Sequence, residues 1–222
     1  MECLLQCASR TKKCPLCQIE SGFLFEAKDT NRNISNETFS YYRCPKCQLI
    51  FLPQVPANLG DYYDGYYQFP SLEKLAQTAS GERFKIEMVQ KFASSGKLLE
   101  IGPSIGVFCY QAKQAGFEVD AIEMSNECCE FLSKEIGVNA VNSNNPSEAI
   151  KSMGTHDVIV LWHNIEHLPD PWACLNEISQ NLTVWNNPFV NTILLKWDVT
   201  NDISATGVAG SVQCYDCTTQ PM

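Results

Sequence analysis

With 45% hydrophobic and only 18% charged side chains, a chain of 222 residues can bury a core, which argues against a disordered or linker-like protein. Its formal net charge of −9 argues against a general nucleic-acid binder, because phosphate affinity comes mainly from clustered Lys and Arg. No run of about 18 apolar residues occurs, so no membrane span is expected.

The stretch from Met1 to Cys7 lacks the basic flank and long apolar segment of a secretory signal. Twelve cysteines are many for this length, and without an export signal they read as thiols and metal ligands of a reducing compartment. The expected location is therefore cytoplasmic. Residues 1–55 show no helical period; Phe39–Arg43 and Leu49–Leu52 read as short strands around a cysteine pair, and Pro53 and Pro56 close the segment. Residues 56–95 form a bridge holding Tyr62, Tyr63, Tyr66, Tyr67 and Phe69, then one helix expected from Leu72 through Phe92. The aromatic cluster fits a lid over a ligand as well as it fits packing between domains.

From Lys97 the pattern alternates between apolar strands and helices. Strands are expected at Lys97–Ile101, Phe117–Glu123, Val138–Val141 and His156–Trp162, and helices at Val107–Ala115, Asn126–Ile136, Ser147–Met153 and Pro171–Asn181. Such an order favours a parallel sheet covered on both faces. Residues 96–183 make this α/β domain and 184–222 a divergent tail, in which Asn191–Val199 can still supply a strand.

Two motifs carry chemistry. Cys14-Pro15-Leu16-Cys17 and Cys44-Pro45-Lys46-Cys47 are C-x-x-C knuckles separated by 26 residues. Four thiolates complete a closed tetrahedral zinc site, and in a segment too short for much core a structural metal substitutes for packing. No ligand position is left open for catalysis. The third pair, Cys214 and Cys217, stands alone near the terminus and is not expected to bind metal.

The second motif begins at Glu100, where a strand runs into Gly102-Pro103-Ser104-Ile105-Gly106 and then a helix. Glycines there let a ligand approach the backbone, and the helix start offers unpaired N–H groups. The next strand ends in Glu123, placed to accept the two ribose hydroxyls of an adenosine.

The Glu100–Gly106 spacing resembles motif I of class I S-adenosylmethionine-dependent methyltransferases. His156 through Pro171, containing Glu166-His167-Leu168-Pro169-Asp170-Pro171, is similar to that family's fourth-strand segment. A zinc ribbon and a tyrosine-rich bridge narrow the likeness to zinc-ribbon methyltransferases, which include C-methyltransferases of nucleotide-linked sugars. The resemblance spans residues 14–182. It implies a Rossmann-like, doubly wound, mostly parallel sheet and S-adenosylmethionine as cofactor.

It also implies roles. Glu100 would face the methionine amino group; Gly102, Pro103, Ser104 and Gly106 would line the cofactor; Glu123 would hold the ribose and Met124 pack on adenine. Trp162 and His163 would border the methionine end. Glu166 and His167 would meet the acceptor, His167 as base; the alternative is that the pair only caps or steers the loop into the helix beginning at Pro171.

The sequence departs from the family at four places. Ser104 replaces a glycine, which is tolerable unless the position needs positive φ. Asn144 or Asn145 stands where an acid often meets the adenine amino group, and Asn164 where a tyrosine is expected. After Thr183 the family pattern stops, as in a truncated or frame-shifted reading that leaves the sheet incomplete at its C-terminal side. The expected function is methyl transfer to a small molecule. The alternatives are an inactive cofactor-binding protein and a zinc-ribbon interaction module.

Overall fold

The computed structural model describes residues 11–30, 35–54, 67–183 and the backbone of 193–196. These fall into two compact units, one holding residues 11–54 and the other 67–196.

The first unit is a four-stranded antiparallel sheet in the order β1-β2-β3-β4, with β1 Thr11–Lys13, β2 Glu20–Lys28, β3 Thr38–Arg43 and β4 Ile50–Phe51. β1 and β2 are additional to the strands expected from sequence. A bulge between Phe23 and Phe25 keeps both rings on the partner strand: Phe25 stacks on Tyr41 at 4.9 Å and Phe23 meets Tyr42 edge-on at 6.1 Å. With Phe39, Leu49 and Phe51, all buried, these rings are the core of the ribbon.

In the second unit a five-stranded parallel sheet has the order β7-β6-β5-β8-β9. Its strands are β5 Gly96–Ile101, β6 Phe117–Glu123, β7 Asn139–Asn142, β8 Val158–Trp162 and β9 Ile193–Lys196. The helices are α1 Leu72–Gly81, α2 Phe84–Gln90, α3 Val107–Gln114, α4 Asn126–Phe131, α5 Pro146–Met153 and α6 Pro171–Asn181. α4 runs on into a π-helical turn, Leu132–Ile136, that ends at Gly137.

Period-2 alternation sorts each strand between two cores. Leu98, Val119, Ala121, Val158 and Val160 face α1, α2, α3 and the π-turn; Leu99, Ile101, Ile122, Ile159 and Leu161 face α5 and α6. The sheet is thus parallel and covered on both faces, a doubly wound, Rossmann-like α/β fold. Between β5 and β8 the strand order reverses, and in such sheets ligands bind at the carboxyl ends beside that switch point.

Three expectations change. The helix expected over Leu72–Phe92 is two helices, because Gly81 lies where α1 ends and the Glu82 N–H closes on Thr78 and Ala79. The fourth strand starts at Val158 rather than His156. His156 makes only a single bridge to Leu182, and its ring Nε2 lies 2.8 Å from Asp120 Oδ2 inside the core. The third strand sits one residue later than expected, at Asn139–Asn142. β9 falls within the stretch expected to supply a strand; the rest of the tail lies outside the described residues. Among the described residues no helix is long and apolar enough to cross a membrane.

Candidate functional site

The two cysteine knuckles are built alike. In each, the first cysteine donates its N–H to the residue five positions on (Ile19, Leu49), and the glutamine after the second cysteine donates back to the first cysteine's carbonyl. Gln18 and Gln48 both take positive φ, 58° and 63°, and each side chain donates to the proline carbonyl of its own knuckle. The sequence reading missed these glutamines, although the repeat Cys-Pro-x-Cys-Gln was visible.

The knuckles bring four sulfurs together. Cys14–Cys47 is 3.6 Å, Cys17–Cys44 3.3 Å and Cys17–Cys47 3.8 Å, and all four lie within 4.8 Å of one another. Four thiolates at about 2.3 Å from one zinc stand about 3.8 Å apart, so the donor set fits that ion. As thiols they crowd: burial pushes Cys47 up to about 12, whereas at Cys44 backbone N–H groups and the Cys17 thiol outweigh burial and bring it to about 6.

The second site lies at the carboxyl ends of β5, β6 and β8. Glu100 is 3% exposed on the α3 face of β5, and its Oε2 accepts from Cys109 Sγ at 2.9 Å. Burial raises its carboxyl to about 7, against the Cys109 thiol and the Lys85 ammonium. Lys85, from α2, also ion-pairs with Glu82 at 2.6 Å and lies 5.5 Å from the Trp162 ring centre.

The glycine turn follows directly. Gly102 has φ of 70°, and a Cβ there would strike the Asn164 side chain; Gly106, at 78°, would strike Leu132 and Ile136. Both positions therefore require glycine on space as well as φ. Ser104 adopts φ of 56°, the condition under which its replacement of glycine costs energy. Pro103 is buried, and its carbonyl accepts from Gly106 N at 2.9 Å.

Glu123, also 3% exposed, takes Ser104 N on Oε2 at 3.0 Å and Ser125 N on Oε1 at 2.9 Å. One carboxylate thus ties the turn after β5 to the turn after β6. Asn142 supports it from β7, donating to the carbonyls of Glu123 and Met124 at 3.1 and 2.9 Å. Met124 projects next to it, 42% exposed. Asn144 and Asn145 are both exposed; Asn145 is the cap of α5, its side chain accepting from Glu148 N.

Beyond β8 the expected residues separate. Trp162 turns into the core against Phe108 at 5.3 Å, with its Nε1 unpartnered, whereas His163 is exposed at φ of 51°. Glu166 and His167 sit in a 3-10 turn, Ile165–His167, and neither caps α6: Asp170 does, accepting Ala173 N at 2.9 Å. This corrects the capping role weighed for them. Burial lowers the His167 imidazole below its ordinary value, partly offset by Glu166 and reinforced by His163. Lys85, Cys109 and Asn142 were not singled out from sequence, and Asn164 was named only as standing at the family's tyrosine position. Tyr62, Tyr63 and Tyr66 of the expected lid, and Cys214 and Cys217, lie outside the described residues.

A family model described as a methyltransferase domain matches residues 72–186, just over half of the chain. The chain belongs to the methyltransferase-domain family. A stretch of 102 residues aligns at 30% identity with a ubiquinone biosynthesis O-methyltransferase of Saccharophagus degradans, covering 44% of this chain and 43% of that protein. The chain therefore spans less than half the length of that relative. Among solved structures, a SAM dependent methyltransferase from Archaeoglobus fulgidus is 23% identical, with TM-score 0.41, over 49% of this chain and 48% of its own. Coclaurine N-methyltransferase bound to N-methylheliamine and SAH is 18% identical, with TM-score 0.40, over 59% and 42%.

Proposed function

We propose that this chain transfers the methyl group of S-adenosylmethionine to a small-molecule acceptor. One arrangement carries the reading: two buried carboxylates, Glu100 and Glu123, at the ends of adjacent parallel strands and on either side of the turn that opens α3. An amino-acid ammonium matches Glu100. The ribose diol matches the two oxygens of Glu123, which the Ser104 and Ser125 N–H groups already orient. Gly102, Pro103, Ser104 and Gly106 would line the cofactor with backbone, and exposed Met124 would pack on adenine. Asn144 would accept from the adenine amino group, and Trp162 and His163 would border the methionine end through their backbone.

Bound there, the cofactor supplies an electrophilic methyl on a sulfonium. The protein's part is alignment and, for an oxygen or carbon acceptor, removal of a proton. His167 is suited to take it, because burial keeps the imidazole neutral at neutral pH and Glu166 favours the imidazolium once formed. Membership of the methyltransferase-domain family and likeness to an O-methyltransferase support the reaction class.

For the acceptor we put a nucleotide-linked sugar first, on the pairing of a four-cysteine ribbon with this domain. The net charge of −9 favours a small molecule over nucleic acid. A structural zinc on Cys14, Cys17, Cys44 and Cys47 belongs to the same reading, as does a reducing, cytoplasmic setting, in which the eight described cysteines, all free, stay as thiols.

The test is transfer of labelled methyl from S-adenosylmethionine to a panel of nucleotide-linked sugars, with S-adenosylhomocysteine measured as co-product. Transfer that His167→Ala abolishes without loss of cofactor binding supports the account. Cofactor binding with no transfer to any acceptor supports the binding-only alternative instead.

A further inference from the structure

Glu100 reaches the α3 face of the sheet because it shares the alternation of Leu98, and the first turn of α3 meets it there with a thiol. Cys109 is completely buried, and its Sγ stands 2.9 Å from Glu100 Oε2. A buried cysteine is ordinarily an apolar filler; this one donates a hydrogen bond to a carboxylate that is itself buried, 3% exposed.

We propose that Cys109 is the positioning residue for Glu100: its S–H, donated to Oε2, holds the carboxylate charged and oriented toward the ammonium of the cofactor. Cofactor affinity, and its dependence on pH, are then set by a thiol one helix turn behind the glycine loop. The inference rests on the reading that Glu100 accepts the cofactor's ammonium.

The surroundings of Glu100 assign the thiol this weight. Three ionisable groups face it among the described residues: Cys109 from α3, Lys85 from α2 and Glu123 from β6. Its lateral neighbours in the sheet, Ala121 and Val160, offer nothing polar. Burial favours the protonated acid and brings it to about 7; of the groups that oppose burial, the Cys109 thiol ranks ahead of Lys85 and of the Cys109 backbone N–H, which Cys109 variants retain, while Glu123 adds to the rise. The thiol itself stays a donor throughout, because burial and the charge of Glu100 push it well above its ordinary value.

The consequence is a pH-linked affinity. An ammonium ligand selects the ionised carboxylate, so binding strengthens as pH rises through about 7 and levels off above it. Losing the donor moves that midpoint upward by about one pH unit, the worth of a hydrogen bond to a charged group. At pH 7 this is a loss of about fivefold in affinity, and the gap closes by pH 9.

The test is titration of S-adenosylhomocysteine into the full chain at pH 5.5 to 8.5, for the wild type, Cys109→Ala, Cys109→Ser and Glu100→Gln, with thermal melts to verify folding. The expected result is an upward-shifted midpoint in Cys109→Ala, a midpoint restored by the hydroxyl donor of Cys109→Ser, and weak, pH-independent binding in Glu100→Gln. Weak binding in Glu100→Gln with an unmoved midpoint in both cysteine variants overturns the role of Cys109 and leaves the ammonium reading standing. Full affinity in Glu100→Gln overturns that reading, and the inference with it.

Discussion

Glu100 should make the free protein less stable than it would be without the charge. Its folded carboxyl titrates near 7 against an ordinary 4.5, so the native state binds the proton more tightly than the unfolded chain does. Stability from this group is therefore fully present below about pH 4.5 and is lost as pH rises through 7, the opposite of the usual carboxylate. At 1.36 kcal/mol per pH unit, the shift amounts to about 3 kcal/mol above pH 8. Glutamine keeps the shape of the protonated acid and has no charge to bury. Urea unfolding of Glu100→Gln and wild type at pH 4, 7 and 8.5 should give nearly equal stabilities at the first and a variant ahead by about 3 kcal/mol at the last, a midpoint difference of about 1 M. Parallel pH curves, or a variant less stable at pH 8.5, would refute the claim that this acid is held against its own solvation.

Ser104 stands at φ of 56°, so Ser104→Gly should be tolerated and Ser104→Val should cost about 1–2 kcal/mol in urea unfolding. Gly102→Ala should lower both stability and cofactor affinity; because the nearest atoms to the added Cβ are those of the Asn164 side chain, the double variant Gly102→Ala/Asn164→Ala should recover part of the loss, and a purely additive cycle would contradict that contact. Zinc analysis by mass spectrometry should find one ion per chain, and Cys44→Ser should fall to a small fraction of it; equal zinc in both would remove the site.

The α/β half was readable because its strands are short apolar runs separated by helices of regular length; the caps Ser125 and Asp170 were not read from the sequence, which gave the start of α6 to Glu166 and His167 instead. The ribbon was less readable. β2 carries Glu20, Glu26 and Lys28 among its apolar residues and bulges at Leu24, so its alternation is diluted by charge and interrupted by geometry. The break after Gly81 was passed over because Leu75 and Ala79 on one side, and Ile86 and Val89 on the other, keep a helical spacing within each segment. In the candidate site, Glu100 and Glu123 were legible as acids at strand ends. Cys109 and Lys85 were not, since what each touches depends on which helix lies over which face of the sheet, and no local pattern encodes that.

Binding of S-adenosylmethionine itself bears most directly on the account. Titrated at pH 8 with the folded chain, the cofactor should bind at one site, and Glu123→Ala should lose about 2–4 kcal/mol of that affinity, the worth of a pair of charge-assisted hydrogen bonds. A folded wild-type chain that binds neither S-adenosylmethionine nor S-adenosylhomocysteine, or a Glu123→Ala variant that binds as tightly as wild type, would contradict it.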